Sequence, residues 1–245
     1  MTNVYAAWVA SHALLLFIAL PLLSGAAAML AARGWQQLPC RGRAPCFAAA
    51  AGASFALFLV FAYAVGQQGA VVAFDEALAG ALSLSMSMWL LWLLSWFTYL
   101  GDRNFLTVVS VLMTLGLLWN RQWRLALFCA VATAAGGALN WMLKHSFERV
   151  RPEHGYGYIN VSGWSFPSGH ASAAMAVYGT ACYLVWRLAP PAWRLPAVAI
   201  MAALVMAVGL SRILLQVHFA SDVFAGFAVS FGWLALCVAA AQRWR

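Results

Sequence analysis

Long, nearly unbroken apolar runs separated by short polar segments dominate this chain. They fall at 4–32, 47–66, 84–100, 104–119, 125–143, 168–189, 196–214 and 219–241. About 20 mostly apolar residues are enough for a helix to cross a bilayer. The pattern therefore predicts an all-α fold, a polytopic transmembrane helical bundle. One run differs from the rest. Residues 84–100 carry Ser85, Ser87 and Ser95 among Trp89, Trp92 and Trp96, a mixture that suits the membrane interface as well as a span. Small residues at Gly136, Gly137 and Ala171–Ala174 suit close helix–helix contact. No soluble appendage or internal repeat interrupts the pattern. The reading is one integral membrane domain, 1–245: an extra N-terminal span at 4–32, a six-helix core at 47–241, and an outer interfacial segment at 67–103.

Composition narrows the class. Hydrophobic residues make up 65% of the chain and charged residues 8%, against ~45–50% and ~25% in soluble domains. A soluble domain, a disordered chain and a nucleic-acid binder are excluded, since the last two need many more charges. The formal net charge is +8, and its distribution carries more information than its size. With 84–100 lying flat or re-entrant, seven helices span. Arg33, Arg41, Arg43, Arg121, Arg124, Arg187, Arg194, Arg243 and Arg245 then share one face with no acidic residue. The other face holds Arg103, Lys144, Arg149, Arg151 and Arg212 with all six acids, Asp75, Glu76, Asp102, Glu148, Glu153 and Asp222. If 84–100 spans, the basic majority moves outside. The positive-inside rule selects seven spans, with the N-terminus outside and the C-terminus cytoplasmic. Cys40 and Cys46 then face the cytoplasm as free thiols. A cleavable leader is not expected, because the first basic residue is Arg33.

Three segments on the outer face concentrate the chemistry. They are Lys144 to Pro152, Ser165 to His170, and Ser211-Arg212 followed by His218 and Asp222. Lys144, Arg151 and Arg212 supply three cations suited to a tetrahedral oxyanion. Ser168, Gly169 and His170 open the span at 168–189, where free backbone N–H groups and a positive dipole end face an anion. Ser168 adds a hydroxyl, and Gly169 lets a ligand approach the backbone. His218 and Asp222, spaced i, i+4, are expected on one helix face, with the carboxylate orienting the imidazole as nucleophile or base. His170 is then free to act as general acid. Taken singly, each of these residues reads as a helix cap or a satisfied polar group. His12, His145 and His154 keep that reading. Met86, Met88 and the Trp residues read as packing and interfacial anchoring, and Phe147, Tyr156 and Tyr158 as interfacial.

In combination, Lys144-x(6)-Arg151-Pro152, Pro167-Ser168-Gly169-His170 and Ser211-Arg212-x(5)-His218-x(3)-Asp222 resemble the three-part signature of the type 2 phosphatidic acid phosphatases. That superfamily includes membrane lipid phosphatases, glucose-6-phosphatase and vanadium haloperoxidases. The resemblance covers roughly 47–241 and points to the bacterial membrane branch. It implies a phosphohistidine on His218 supported by Asp222. His170 serves first as acid and then as base. Lys144, Arg151, Ser168, Gly169 and Arg212 hold the phosphoryl oxygens, and neither metal nor other cofactor is involved. Two departures stand out: Gln216, where many relatives have Gly, and Phe219-Ala220 in place of an aromatic-Pro pair.

The expected substrate is a membrane lipid phosphate at the outer leaflet of a bacterial inner membrane. Undecaprenyl pyrophosphate or a broad range of lipids is favoured over phosphatidylglycerol phosphate, phosphatidic acid or lipid A phosphate. A lipid phosphotransferase would use the same intermediate. A haloperoxidase fits so apolar a chain less well, and a transporter is disfavoured because no charge sits mid-span. The lipid bilayer is the expected partner, nucleic acid is not, and the motifs carry no oligomeric state.

Overall fold

The computed structural model describes residues 2–37, 40–153, 156, 157 and 162–242, with 40–42 as backbone alone. His154, Tyr158, Arg243 and Arg245, and the side chains of Cys40 and Arg41, lie outside the described residues. Every regular element among the described residues is helical. The chain runs α1 (Thr2–Ser11), α2 (Ala13–Gln37), α3 (Cys40–Gly66), α4 (Ala70–Ser85), α5 (Met88–Phe97), a 3₁₀ turn (Thr98–Gly101) and α6 (Arg103–Trp119). Then come α7 (Trp123–Ala130), a π-helical turn (Val131–Ala135) and α8 (Gly136–Phe147), which follow one another without a break. They are followed by α9 (Gly169–Leu188), α10 (Arg194–Leu214) and α11 (Ala220–Ala241).

Among the described residues, six helical stretches are long and apolar enough to cross a membrane: Ala13–Gln37, Arg43–Gly66, Met88–Trp119, Trp123–Phe147, Pro191–Leu214 and Ala220–Ala241. α9 is outside that set, yet its 20 residues reach about 30 Å. It packs against α6, α8, α10 and α11. Shielded from lipid by these neighbours, it can carry polar and small residues that an exposed span could not.

Two of the predicted runs are not single helices. The run 4–32 divides at His12: α1 packs on α4, whereas α2 lies along α10. The break has a local cause. The Ser11 hydroxyl donates to the Trp8 carbonyl at 2.9 Å, and the His12 Nδ1 lies 2.9 Å from the same oxygen. Side chains thus compete with the backbone ladder for one acceptor. The run 84–100 breaks at Met86, whose backbone is extended, and Ser87 restarts the helix by accepting the Leu90 N–H at 3.3 Å. α5 has 10 residues, so it is about 15 Å long, half of a bilayer core. Leu90, Leu91 and Leu94 are buried while Trp89, Trp92 and Trp96 are exposed, the arrangement of an interfacial helix.

Close approach explains some of the small residues. A Cβ at Gly25 would lie 2.7 Å from the Ala199 carbonyl oxygen, so only glycine lets α2 settle on α10. Gly136 packs tightly against Trp233, whereas a Cβ at Gly137 would meet nothing within 4 Å. Of that pair, only Gly136 serves a helix contact.

Candidate active site

The three polar segments meet at one end of the bundle. Lys144 sits in the last turn of α8, and Arg149 and Arg151 follow it. Ser168 precedes α9, and His170 lies in its first turn. Arg212 closes α10, and the turn 215–219 delivers His218. This turn depends on Gln216, whose φ of +58° is left-handed. Glycine adopts that conformation freely, while a side chain costs about 1 kcal/mol there. The departure from the family pattern is thus a residue in a conformation that favours glycine. Its amide nitrogen donates to the Ile213 carbonyl at 3.3 Å.

His218 is 3% exposed. Its Nε2 lies 3.1 Å from Arg151 Nη1, and its Nδ1 lies 3.2 Å from Ser165 Oγ and 3.5 Å from Asp222 Oδ2. The Ser165 hydroxyl donates to Asp222 Oδ2 at 2.5 Å. His218 and Asp222 are thus within contact range, as their i, i+4 spacing predicts, but they do not share a helix face. His218 precedes α11, Phe219 between them is extended, and Asp222 folds back to accept the Phe219 N–H at 2.9 Å. The carboxylate reaches the imidazole chiefly through Ser165, a residue to which the sequence reading assigned no role.

That relay sets the tautomer. The Ser165 hydroxyl donates its hydrogen bond to Asp222, so its oxygen is left to accept from Nδ1–H, and Nε2 keeps its lone pair. Burial holds the His218 imidazole well below the ordinary histidine range, and the cations Arg151, Arg212 and Lys144 push the same way. At neutral pH the ring is uncharged, the form a nucleophile requires.

The other donors of the cluster surround it. Arg212 is fully buried and donates from Nη1 to Thr98 Oγ1 at 2.8 Å. Its Nε and Nη2 find no partner among the described residues. Ser168 is also fully buried, and its hydroxyl has no partner either. A serine at a helix start normally caps the helix with its oxygen. Ser168 does not, which leaves the first N–H groups of α9 without a side-chain acceptor. A Cβ at Gly169 would make only ordinary contacts, at 3.6 Å, with Asn140 and Lys144. Protein packing therefore does not demand a glycine at 169.

Lys144 donates to the Trp164 carbonyl at 2.6 Å, and Arg151 to those of Gly163 at 2.9 Å and Val217 at 2.6 Å. Both cations brace the loop before α9. His170 rests against the 3₁₀ turn, where any side chain at Gly101 would press on Val208 and the imidazole. Lys144, Arg151, Arg212 and His218 all lie within electrostatic range of it. All eight residues singled out in the sequence therefore belong to one cluster. The structure adds Thr98, Ser165, Arg149 and Asp75. Thr98 is an uncharged residue inside an apolar run, and nothing local marks it. Asp75 and Arg149 are 74 positions apart, beyond any spacing rule.

Chemically, the cluster joins a neutral, oriented imidazole to buried N–H and O–H donors. This suits attack on a tetrahedral oxyanion and stabilisation of the charge that develops on its oxygens. Comparison with known proteins gives the family. The family described as "PAP2 superfamily" matches residues 125–245. Phosphatidylglycerophosphatase B of Bacillus subtilis (strain 168) is 33% identical over 177 residues, or 71% of this chain and 86% of that protein. A crystal structure described as the first transmembrane PAP2 type phosphatidylglycerolphosphate phosphatase, from Bacillus subtilis, aligns with a TM-score of 0.68 at 33% identity. The alignment covers 78% of this chain and 94% of that one.

Proposed function

Because this chain belongs to the PAP2 superfamily, as a membrane-embedded lipid phosphatase, we propose that it removes the terminal phosphate of phosphatidylglycerophosphate or a closely related lipid phosphomonoester through a phosphohistidine. The observation that carries the chemistry is the set of buried donors without partners, Arg212 Nε and Nη2 and Ser168 Oγ, in the cluster around His218. The lipid class rests on the Bacillus relatives, both named for phosphatidylglycerophosphate.

His218 Nε2 attacks phosphorus as the bond to the lipid oxygen breaks. Arg151 exchanges its contact with Nε2 for a phosphoryl oxygen. His170, protonated once the phosphate dianion is bound among the cations, gives a proton to the departing lipid oxygen and later takes one from the water that splits the phosphohistidine. Inorganic phosphate leaves, and both imidazoles return to their starting states. Arg212, Lys144, Ser168 and the N–H groups at Gly169 hold the three equatorial oxygens throughout. Phosphatidylglycerophosphate, phosphatidic acid and undecaprenyl pyrophosphate, each presented to the purified protein in mixed micelles with EDTA, test this reading. The expected result is inorganic phosphate release without an acceptor lipid, with the highest kcat/KM on phosphatidylglycerophosphate. Dependence on an acceptor lipid would make the enzyme a phosphotransferase. Loss of activity restored by Mg²⁺ would overturn the side-chain charge scheme.

The same reading puts the cluster at the outer face of a bacterial cytoplasmic membrane. Arg33, Arg43, Arg121, Arg124, Arg187 and Arg194 all lie near helix ends away from the cluster, the bias expected of a cytoplasmic face. Exposed Cys46 in α3 is about 30 Å along the helix from Gly66 at the cluster end. In intact cells it should resist a membrane-impermeant maleimide and react after permeabilisation. Equal labelling in both would reverse the orientation.

A further inference from the structure

Behind Asp222 lies a buried ion network that none of the three motifs contains. Arg149 Nη1 donates to Asp222 Oδ1 at 2.8 Å and to Ser221 Oγ at 2.7 Å. Its Nη2 donates to Asp75 Oδ2 at 2.9 Å. The Ser221 backbone N–H donates to Asp75 Oδ1 at 3.1 Å, and its hydroxyl to Asp75 Oδ2. The guanidinium lies 4.3 Å from the Phe219 ring centre. All three charged side chains are at most 8% exposed. One cation is therefore shared between two buried carboxylates. One of these stands behind His218; the other comes from α4, outside the segment that matches the family.

We propose that Arg149 and Asp75 are positioning residues for phosphoryl transfer: Arg149 fixes Asp222 in place and in its charged form, and Asp75 moderates that hold by taking the other half of the guanidinium. The assignment rests on the reading of His218 and Asp222 as nucleophile and partner. A buried carboxylate without a cation is strongly disfavoured and takes up a proton instead. A protonated Asp222 no longer draws the Ser165 hydroxyl, and the relay that orients His218 is lost. Two carboxylates left without their cation also repel each other. Removing Arg149 is thus worse while Asp75 remains than when it is gone.

That asymmetry separates positioning from mere docking of α4. The test compares wild type, Arg149→Gln, Asp75→Asn and the double variant, full-length in phosphatidylglycerol-containing nanodiscs, by steady-state kinetics on phosphatidylglycerophosphate, with thermal unfolding as the folding control. Arg149→Gln should lose about 10–100-fold in kcat, the usual effect of removing a group that orients a reacting residue, with KM within about threefold. Asp75→Asn should lose only a few-fold. The double variant should recover at least about tenfold over Arg149→Gln. A docking role alone would lower the unfolding temperature in every variant and leave kcat per folded enzyme unchanged, which would overturn the proposal. So would a double variant no faster than Arg149→Gln. If Arg149→Gln does not fold, Arg149→Lys replaces it, since an ammonium keeps the charge but lacks the planar fork whose two nitrogens hold Asp222 and Asp75 in fixed geometry. Its kcat should still fall about tenfold, and wild-type kcat would refute the assignment. Failure of wild type to release phosphate would fault the lipid phosphatase reading itself, a result distinct from any of these.

Discussion

His218→Ala should reduce kcat for lipid phosphate hydrolysis by roughly 10⁴-fold or more, the loss expected when a nucleophile that acts together with its partners is removed. The fold should tolerate the change. His218 is neutral and buried, so alanine removes an imidazole without stranding a charge, and Asp222 keeps Arg149, Ser165 and the Phe219 N–H. Substrate should still bind, because the cations proposed to hold phosphate are untouched. The measurements are phosphate release and acid-labile ³²P labelling of the protein, both of which should vanish. His170→Asn should behave differently. With p-nitrophenyl phosphate, whose leaving group needs little protonation, labelling should persist while turnover slows, because the base for the second step is missing. If His218→Ala turns over at the wild-type rate, His218 is not the nucleophile.

Arg212→Met should cost about 10²–10³-fold in kcat, the range for deleting one preorganised donor to a developing oxyanion. It should also leave the unfolding temperature equal to or above that of the wild type. The second half follows from burial. Arg212 is 0% exposed, donates to the neutral Thr98 oxygen, and leaves Nε and Nη2 without partners among the described residues. Taking a charge out of water without full compensation is expensive, and an apolar residue of similar length avoids that cost. Stability and rate should therefore move in opposite directions, as they do where a site is kept ready for a ligand. Kinetics and thermal unfolding on one preparation decide the matter. A variant that loses both together would make Arg212 a structural residue.

The helical spans were legible because each needs only a long apolar run, and membrane crossing imposes that run directly. The break at 84–100 was half legible, since Ser87 and the three Trp already marked an interface. The break at His12 was not, because it depends on two side chains sharing the Trp8 carbonyl. Within the site, residue types and spacing were enough to gather Lys144, Arg151, Ser168, Gly169, His170, Arg212, His218 and Asp222. They misjudged how Asp222 reaches His218, because helical spacing was assumed across Phe219, where the backbone is extended. Arg149 and Arg151 stand two positions apart and look alike in sequence. The motif singles out Arg151, and only the packing of α4 and α11 shows that Arg149 serves two carboxylates.

The 3₁₀ turn Thr98–Gly101 has a wider consequence. Thr98 holds Arg212, Gly101 abuts His170, and the Tyr178 hydroxyl donates to the Leu100 carbonyl at 2.6 Å. The same four residues continue directly from α5, whose tryptophans face outward. Lateral pressure and bilayer thickness act on such an aromatic belt. One turn of backbone connects that belt to Arg212 and His170, the proposed oxyanion donor and second imidazole. If the proposed site is right, exchanging the bilayer for a detergent micelle should change turnover through this turn, because the turn joins the exposed tryptophans to Arg212 and His170.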